Sequence, residues 1–108
     1  MGGDRIGPVF SALSDPNRRH LVEALARCET ATLSELAAEL PITRQAVSKH
    51  LTALTHAGLV SASRSGRHTH FRLTPTALDV ALAWMERVGA DWEERLQALR
   101  AHLTGEPR

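Results

Sequence analysis

The sequence has few of the features on which enzyme and membrane sites are built. Cys28 is its only cysteine, so no internal disulfide can form. No apolar run approaches the roughly 20 residues of a membrane-spanning helix. A Gly-x-Ser-x-Gly turn, a glycine-rich phosphate loop and a carboxylate pair in a predicted cleft are also missing. These absences argue against an enzyme and a membrane protein, and they predict a protein of the reducing cytoplasm.

Acidic residues are absent from the middle of the chain. None occurs between Glu39 and Asp79. The same stretch contains five cations, which are Arg44, Lys49, Arg64, Arg67 and Arg72. Over residues 73–108 the balance reverses, with four arginines against six acids. The formal net charge of +1 therefore conceals a basic middle and an acidic tail, which is typical of a nucleic-acid-binding region beside a partner-binding region.

The chain is long enough for one compact domain but not for a second core, so residues 1–108 are expected to fold as one unit. A short helix is predicted around residues 9–13. An amphipathic helix follows, with Asp15 as its N-cap and an apolar stripe that begins at Leu21. Cys28 continues this stripe, so we expect it to be a buried core thiol rather than a redox sensor.

Two further helices are predicted in residues 32–57, separated by a short turn. The first begins with a capping box, in which Thr32 and Glu35 each bond the other residue's free backbone N–H. It is expected to end at Leu40, because a proline follows. The second helix is capped by Thr43.

Two short alternating segments in residues 59–73, joined by the turn pair Ser65-Gly66, predict a β-hairpin. A long final helix is predicted over residues 75–103. Its apolar residues recur at spacings of three and four, with one gap: Leu78, Leu82, Met85, Trp92, Leu96, Leu99 and Leu103. The predicted fold class is mainly α with a β-hairpin wing, in the order of a winged helix-turn-helix.

A helix-turn-helix presents the N-terminal half of its second helix to the major groove of DNA, where arginine and glutamine can pair bidentately with base edges. The candidate contacts on that helix are Thr43, Arg44, Gln45, Ser48, Lys49 and Thr52. Those on the wing, which would follow the DNA backbone or the minor groove, are Arg64, Arg67, His68 and His70. A merely solvated polar face is the alternative for any single residue, but it does not explain a long basic stretch without one acid.

Three segments resemble the ArsR/SmtB type of bacterial winged-helix repressor: LSDPNRRHLVEAL, LSELAAELPITRQAVSKHLTALTHAGLV and RSGRHTHFRLTP. The resemblance covers roughly residues 9–75. It implies a homodimer whose first and last helices form the interface, and whose release from operator DNA is controlled by an inducer or a metal. The last helix is similar to that of a metal-independent branch of the family.

The resemblance also indicates where relatives bind metals, and the ligands are missing there. Thr32 and Ser34 stand where arsenic- and cadmium-sensing members carry thiols, and His102 is the only imidazole on the last helix. We therefore expect no metal and no other cofactor. Trp84 and Trp92 could line a pocket for a small organic effector, although packing in a dimer core is the favoured interpretation.

The apolar stripe of the last helix favours a homodimer, because one small domain cannot cover all of it. The sequence thus predicts a homodimeric transcriptional repressor that binds a palindromic double-stranded DNA operator without a metal effector. Two alternatives are a protein-interaction module whose winged helix no longer binds DNA, and an architectural DNA-binding protein of low specificity.

Overall fold

The computed structural model describes residues 4–105, so the predicted unit of residues 1–108 extends at both ends beyond the described range. Within that range the elements are α1 Ile6–Ala12, α2 Pro16–Ala26, β1 Ala31–Thr32, α3 Leu33–Ala37, α4 Arg44–His56, β2 Val60–Ser65, β3 His68–Leu73 and α5 Pro75–Thr104. The predicted winged helix-turn-helix is confirmed. We call α4 the recognition helix, and β2, β3 and the turn between them the wing.

The core is formed by apolar side chains from α1 to α4, the first residues of the wing and the start of α5. Its largest fully buried members are Val9, Leu21, Leu25, Leu36, Val47, Leu51, Leu54 and Leu59. No polar or charged residue of the described range is buried. Three of these core residues form one face of α4, so the opposite face of the recognition helix is left to solvent.

Both helices of the helix-turn-helix begin at the predicted caps. The Thr32 hydroxyl accepts from the N–H of Glu35 at 3.3 Å, while the Glu35 carboxylate accepts from the N–H of Thr32 at 2.8 Å. Thr43 caps α4 by accepting from the N–H of Ala46 at 3.0 Å. After α4, Gly58 has a φ of +81°, a conformation that suits glycine and turns the chain into the wing.

The bounds of α3 and α1 differ from the prediction. α3 ends at Ala37 rather than at Leu40, because the N–H groups of Glu39 and Leu40 bond carbonyls only three residues back and close turns instead of continuing the helix. The segment between α3 and α4 is correspondingly longer than the predicted turn. α1 covers Ile6–Ala12 rather than residues 9–13, so it begins three residues earlier.

The prediction that Cys28 is a buried core thiol is wrong. α2 ends at Ala26 and Arg27 is its C-cap, so Cys28 lies in the turn that follows and is exposed. The thiol lies 3.4 Å from the carbonyl oxygen of Ala24. Helical spacing placed Cys28 on the buried stripe only on the assumption that the helix continued through it.

The sheet is larger than the predicted hairpin. β2 and β3 pair antiparallel, and Ser65 still pairs with His68, so the turn consists of Gly66 and Arg67 rather than Ser65 and Gly66. Gly66 has a φ of +63°, which explains the glycine at the tip. β1 pairs with the other edge of β3, giving the order β1-β3-β2. A strand of two residues shows no alternation, so the sequence pattern could not reveal it.

The end of the wing leads directly into α5. The backbone N–H of Thr74 donates to the carbonyl oxygen of Leu59 at 2.8 Å, which joins the two ends of the hairpin. The first turns of α5 then pack against the domain. Ala81 is 2% exposed, and the Trp84 ring contacts the Phe10 ring of α1. Ala81 is also the last buried residue of α5 within the described range, so most of this helix projects beyond the core.

Candidate nucleic-acid interface

The exposed face of α4 carries the predicted base-reading side chains. The N-cap Thr43 is exposed, and so are five residues of the helix itself: Arg44, Gln45, Ser48, Lys49 and Thr52. On the opposite face, Val47 and Leu51 are only 0% and 1% exposed. The helix cannot rotate about its axis without unpacking these side chains. The polar face is therefore held toward solvent.

The polar groups of this face differ in the hydrogen bonds that they can still form with DNA. The Thr43 hydroxyl oxygen already accepts from an N–H in the first turn of α4, so its O–H remains to donate. The Thr52 O–H donates to the Ser48 carbonyl oxygen at 3.1 Å, so its oxygen remains to accept. Among residues 4–105, the side chains of Arg44 and Gln45 take part in no hydrogen bond or ion pair. Both are free to pair bidentately with a base edge.

The antiparallel register sorts the wing residues onto two faces of the sheet. Arg64 pairs with Thr69 and shares a face with Phe71, whereas His68 and His70 lie on the other face. The predicted separation of these histidines from Phe71 is confirmed. Arg64 lies on the face of Phe71, so the four predicted wing contacts do not all lie on one face of the sheet.

The recognition helix and the wing meet at an open groove of about 300 Å³, which we call the basic groove. Arg44 and Ser48 line it from α4, Arg67 and His68 from the wing, and Ser34 from α3. The remaining lining residues are Thr32, Leu33, Thr69 and Phe71. The structure thus brings together four of the predicted DNA contacts. The predicted contacts outside the groove are Thr43, Gln45, Lys49, Thr52, Arg64 and His70.

Ser34 is one of the polar groove residues that the DNA-binding prediction did not include. A residue between the two members of a capping box lies in the first turn of its helix, so its exposure could be inferred from Thr32 and Glu35. Its approach to the wing could not, because β1 pairs with β3 and brings this end of α3 beside the wing. The pairing is between residues far apart in the sequence and leaves no local signal.

One acid lies beside the basic groove. Hydrogen bonds from the backbone N–H and the hydroxyl of Thr32 hold the pKa of Glu35 below its ordinary value, and the nearby His70 and His68 lower it further. The Glu35 carboxylate is engaged in the capping box at 2.8 Å. The only ion pair among residues 4–105 includes none of the residues that line the groove. The groove cations are thus left without a salt-bridge partner.

The predicted dimer-interface residues lie along α5 and differ in exposure. Five of the seven are exposed: Leu82, Met85, Trp92, Leu99 and Leu103. Leu78 instead packs against the chain's own core, and Leu96 is half-buried. Val88, which is not among the predicted interface residues, is 46% exposed and lies three residues after Met85 and four before Trp92. It belongs to the same stripe and fills the apparent gap in the pattern.

The two tryptophans of α5 have different surroundings. The Trp84 ring contacts Phe10, whereas Trp92 is 58% exposed. No three His, Cys, Asp or Glu side chains within residues 4–105 are grouped so that they could hold a metal ion. None of the helices described combines the length and the apolar character needed to cross a membrane.

The chain is similar to known proteins in sequence and in fold. A family model described as a helix-turn-helix domain matches residues 13–61. Two similar proteins come from Bacillus subtilis. One is the uncharacterized HTH-type transcriptional regulator YuzN, 41% identical over 63% of this chain and 79% of the relative. The other is the transcriptional repressor SdpR, 32% identical over 71% of this chain and 84% of the relative. A solved ArsR-like transcriptional regulator from Rhodococcus sp. RHA1 matches with a TM-score of 0.79 and 36% identity, over 96% of this chain and 95% of that one.

Proposed function

We infer the function from one premise: this chain belongs to the ArsR family of winged helix-turn-helix transcriptional regulators. It is a DNA-binding regulator and not an enzyme. Within that role, we propose a homodimeric repressor that binds a palindromic operator in the cytoplasm without a metal effector. The proposed base readers are on the recognition helix, and the proposed backbone contacts are on the wing.

The observation that carries the proposal is the basic groove, which makes the recognition helix and the wing one continuous surface. Arg44 and Arg67 come from different elements but line the same groove, and neither is paired with an acid within residues 4–105. Such unpaired cations attract a polyanion, because each phosphate that they neutralise releases condensed counterions. Arg44 and Gln45 can then read bases while Arg67 holds the backbone.

The apolar stripe of α5 supports the homodimer. Trp92 and Leu103 are 58% and 74% exposed. Leaving side chains of this size in water costs about 1.5 to 3 kcal/mol each relative to burial. A two-fold partner that covers the stripe would set the two recognition helices roughly 34 Å apart, one turn of DNA. A palindromic operator presents its half-sites at this separation.

Repression is the sign of regulation that we propose, because one of the relatives is named a transcriptional repressor. A metal effector has no place in the proposal. Thr32 and Ser34 offer neutral hydroxyls, which soft metals disfavour, and Arg44 and Arg67 would repel any cation in the groove beside them. We assign Trp92 to the dimer core rather than to a pocket for an organic effector.

Selection of bound fragments from a random pool of double-stranded DNA tests the proposal. We expect an inverted repeat, and a footprint confined to it. Broad protection without a preferred site would favour an architectural protein, and the recovery of no DNA at all would favour a protein-interaction module. A reporter gene placed behind the recovered site should be less active when the protein is present; a rise in its activity would contradict repression.

A further inference from the structure

We propose that the basic groove holds one backbone phosphate of the operator, and that Ser34 of α3 is a direct ligand of that phosphate. The inference rests on the proposed function and adds to it a contact from a third element. It predicts that α3, the recognition helix and the wing bind the same phosphate.

Two hydroxyl groups from the start of α3 line the groove, and only one is free. The Thr32 hydroxyl accepts from the N–H of Glu35 at 3.3 Å and lies 3.2 Å from the carboxylate oxygen to which it donates. The Ser34 side chain is exposed and forms no hydrogen bond with any of residues 4–105. Ser34 therefore has a donor available for a group that enters the groove.

The other polar groups around Ser34 suit an oxyanion. Arg67 contributes a guanidinium group, His68 an imidazole and Ser48 a second hydroxyl, while Arg44, whose guanidinium is left to read a base, adds a second positive charge. Among residues 4–105, no acidic side chain lines the groove, and the nearby Glu35 carboxylate is bound to Thr32 at 2.8 Å. Donors of this kind, with no carboxylate among them, favour an anion with several acceptor oxygens and repel a cation.

A phosphodiester of DNA is the oxyanion that fits this position. The groove is lined by Arg44 and Ser48, which belong to the polar face that would enter the major groove. Its opening would then lie at the sugar-phosphate backbone that borders the major groove. A phosphate held there fixes the position of the recognition helix without reading sequence. Ser34 should therefore affect the affinity for every DNA sequence about equally.

Methylphosphonate substitution, which removes the charge of one phosphate at a time, tests the inference on the full chain with the operator recovered by selection. For the wild type, we expect one phosphate in each half-site whose neutralisation weakens binding about tenfold. Ser34→Ala should weaken binding to the unmodified operator about fivefold and reduce the effect at that phosphate, which Arg67 still contacts. Its salt dependence should be unchanged, because serine carries no charge.

Two further variants control for folding and for the loss of a hydroxyl as such. Ser34→Thr keeps the hydroxyl and should retain the wild-type response at that phosphate. Ser61→Ala removes a hydroxyl from an exposed serine of the wing that does not line the groove, and should bind like the wild type. Equal effects of Ser34→Ala and Ser61→Ala would overturn the role of Ser34.

The remaining outcomes separate the inference from the function on which it rests. The wild type could bind its operator specifically while the loss of binding free energy caused by Ser34→Ala adds to that caused by every methylphosphonate. In that case the phosphate assignment is wrong and the proposed function stands. A wild type with no preferred DNA would contradict both. Inorganic phosphate, titrated against chloride at equal ionic strength, should compete less with an operator that carries the methylphosphonate at that position than with the unmodified operator. Equal release of both operators by inorganic phosphate would assign the groove to a free oxyanion instead.

Discussion

The rings of Phe10 and Trp84 meet edge to face, with their centroids 5.8 Å apart and their planes at 68°. The contact joins α1 to α5 one turn beyond Ala81, the last buried residue of α5 in the described range. It therefore helps to set the direction in which α5 leaves the domain. Phe10 is 39% exposed and Trp84 is 38% exposed. The two residues therefore support α5 from the surface of the domain rather than from within the core.

A double-mutant cycle with Phe10→Leu and Trp84→Leu should show a coupling of about 0.5 to 1.5 kcal/mol in the free energy of unfolding, because edge-to-face pairs add this much beyond area burial. Urea unfolding at fixed protein concentration measures it. The control cycle pairs Phe10→Leu with Trp92→Leu, whose ring has no aromatic partner among residues 4–105. Equal coupling in both cycles would mean that the ring contact contributes nothing of its own.

The recognition helix and the wing should respond differently when a side chain is truncated. Arg44→Ala or Gln45→Ala should relax sequence preference by about 1 to 3 kcal/mol for each base pair that the variant no longer reads. Arg67→Ala should weaken binding to all DNA about equally and flatten the salt dependence. Titrations of operator and scrambled DNA at several salt concentrations distinguish the two, with Gln97→Ala on α5 as a neutral control. If both α4 variants kept the wild-type preference, α4 would not be the reading element.

Metals should not control DNA binding. The resemblance to the family implies that Thr32 and Ser34 stand where arsenic- and cadmium-sensing members carry thiols. Zn(II), Cd(II) and arsenite should therefore leave operator affinity unchanged, and a chelator should have no effect. Fluorescence anisotropy with and without each metal makes the comparison. A stoichiometric metal that shifted the affinity tenfold, about 1.4 kcal/mol of coupling, would refute this prediction.

Dimerisation should fail when charges are placed on the apolar stripe. Trp92→Asp with Leu99→Asp introduces two carboxylates at positions that are 58% and 53% exposed in the single chain, so the domain itself should still fold. Ala90→Asp with Gln97→Asp places the same charges, with the same spacing, on the opposite side of α5. Sedimentation should give a monomer with little operator affinity for the first pair and a dimer for the second. A wild-type monomer at micromolar concentration would end the dimer proposal.

The capping box should make stability sensitive to acid. The pKa of Glu35 is lowered in the folded chain by hydrogen bonds from Thr32 and by the charges of His70 and His68. A lowered pKa contributes stability that is complete above the unfolded-state pKa, about 4.3, and is lost as pH falls through the folded-state value. Glu35→Gln removes the charge. It should be less stable than the wild type at pH 7, and the difference should shrink below about pH 4.3. A difference that is constant with pH would contradict this account.

Local chemistry makes the starts of α3 and α4 predictable. The bonds of the capping box at Thr32 and of the Thr43 cap each join residues three apart in the sequence, so the residue types alone are informative. Where helices end is less evident. Leu40 and Cys28 fit the apolar spacing of α3 and α2, but the backbone has already changed to turns at both positions. Spacing reports a helix only while the helix continues.

One part of the candidate site can be predicted from the sequence and another part cannot. The polar face of α4 follows from helical period, because Val47 and Leu51 are buried on the other side. The basic groove does not follow from the helical period, since it requires β3 to pair with Ala31 and Thr32, about 40 residues earlier in the chain. The resemblance consequently identifies Ser34 only as a position where metal-sensing relatives carry a thiol, and not as a DNA contact. The dimer contacts and the operator depend on other molecules and remain predictions.

Beyond Trp84, α5 continues for 20 residues to Thr104. That length is about 30 Å at 1.5 Å per residue, so α5 is a lever arm whose fulcrum is the contact between Phe10 and Trp84. A rotation of about 10° at the fulcrum moves the far end by about 5 Å. In a dimer joined through these two arms, the same rotation would displace one recognition helix relative to the other by more than one base-pair step of about 3.4 Å. Small adjustments of two rings could thus take the protein out of register with its operator.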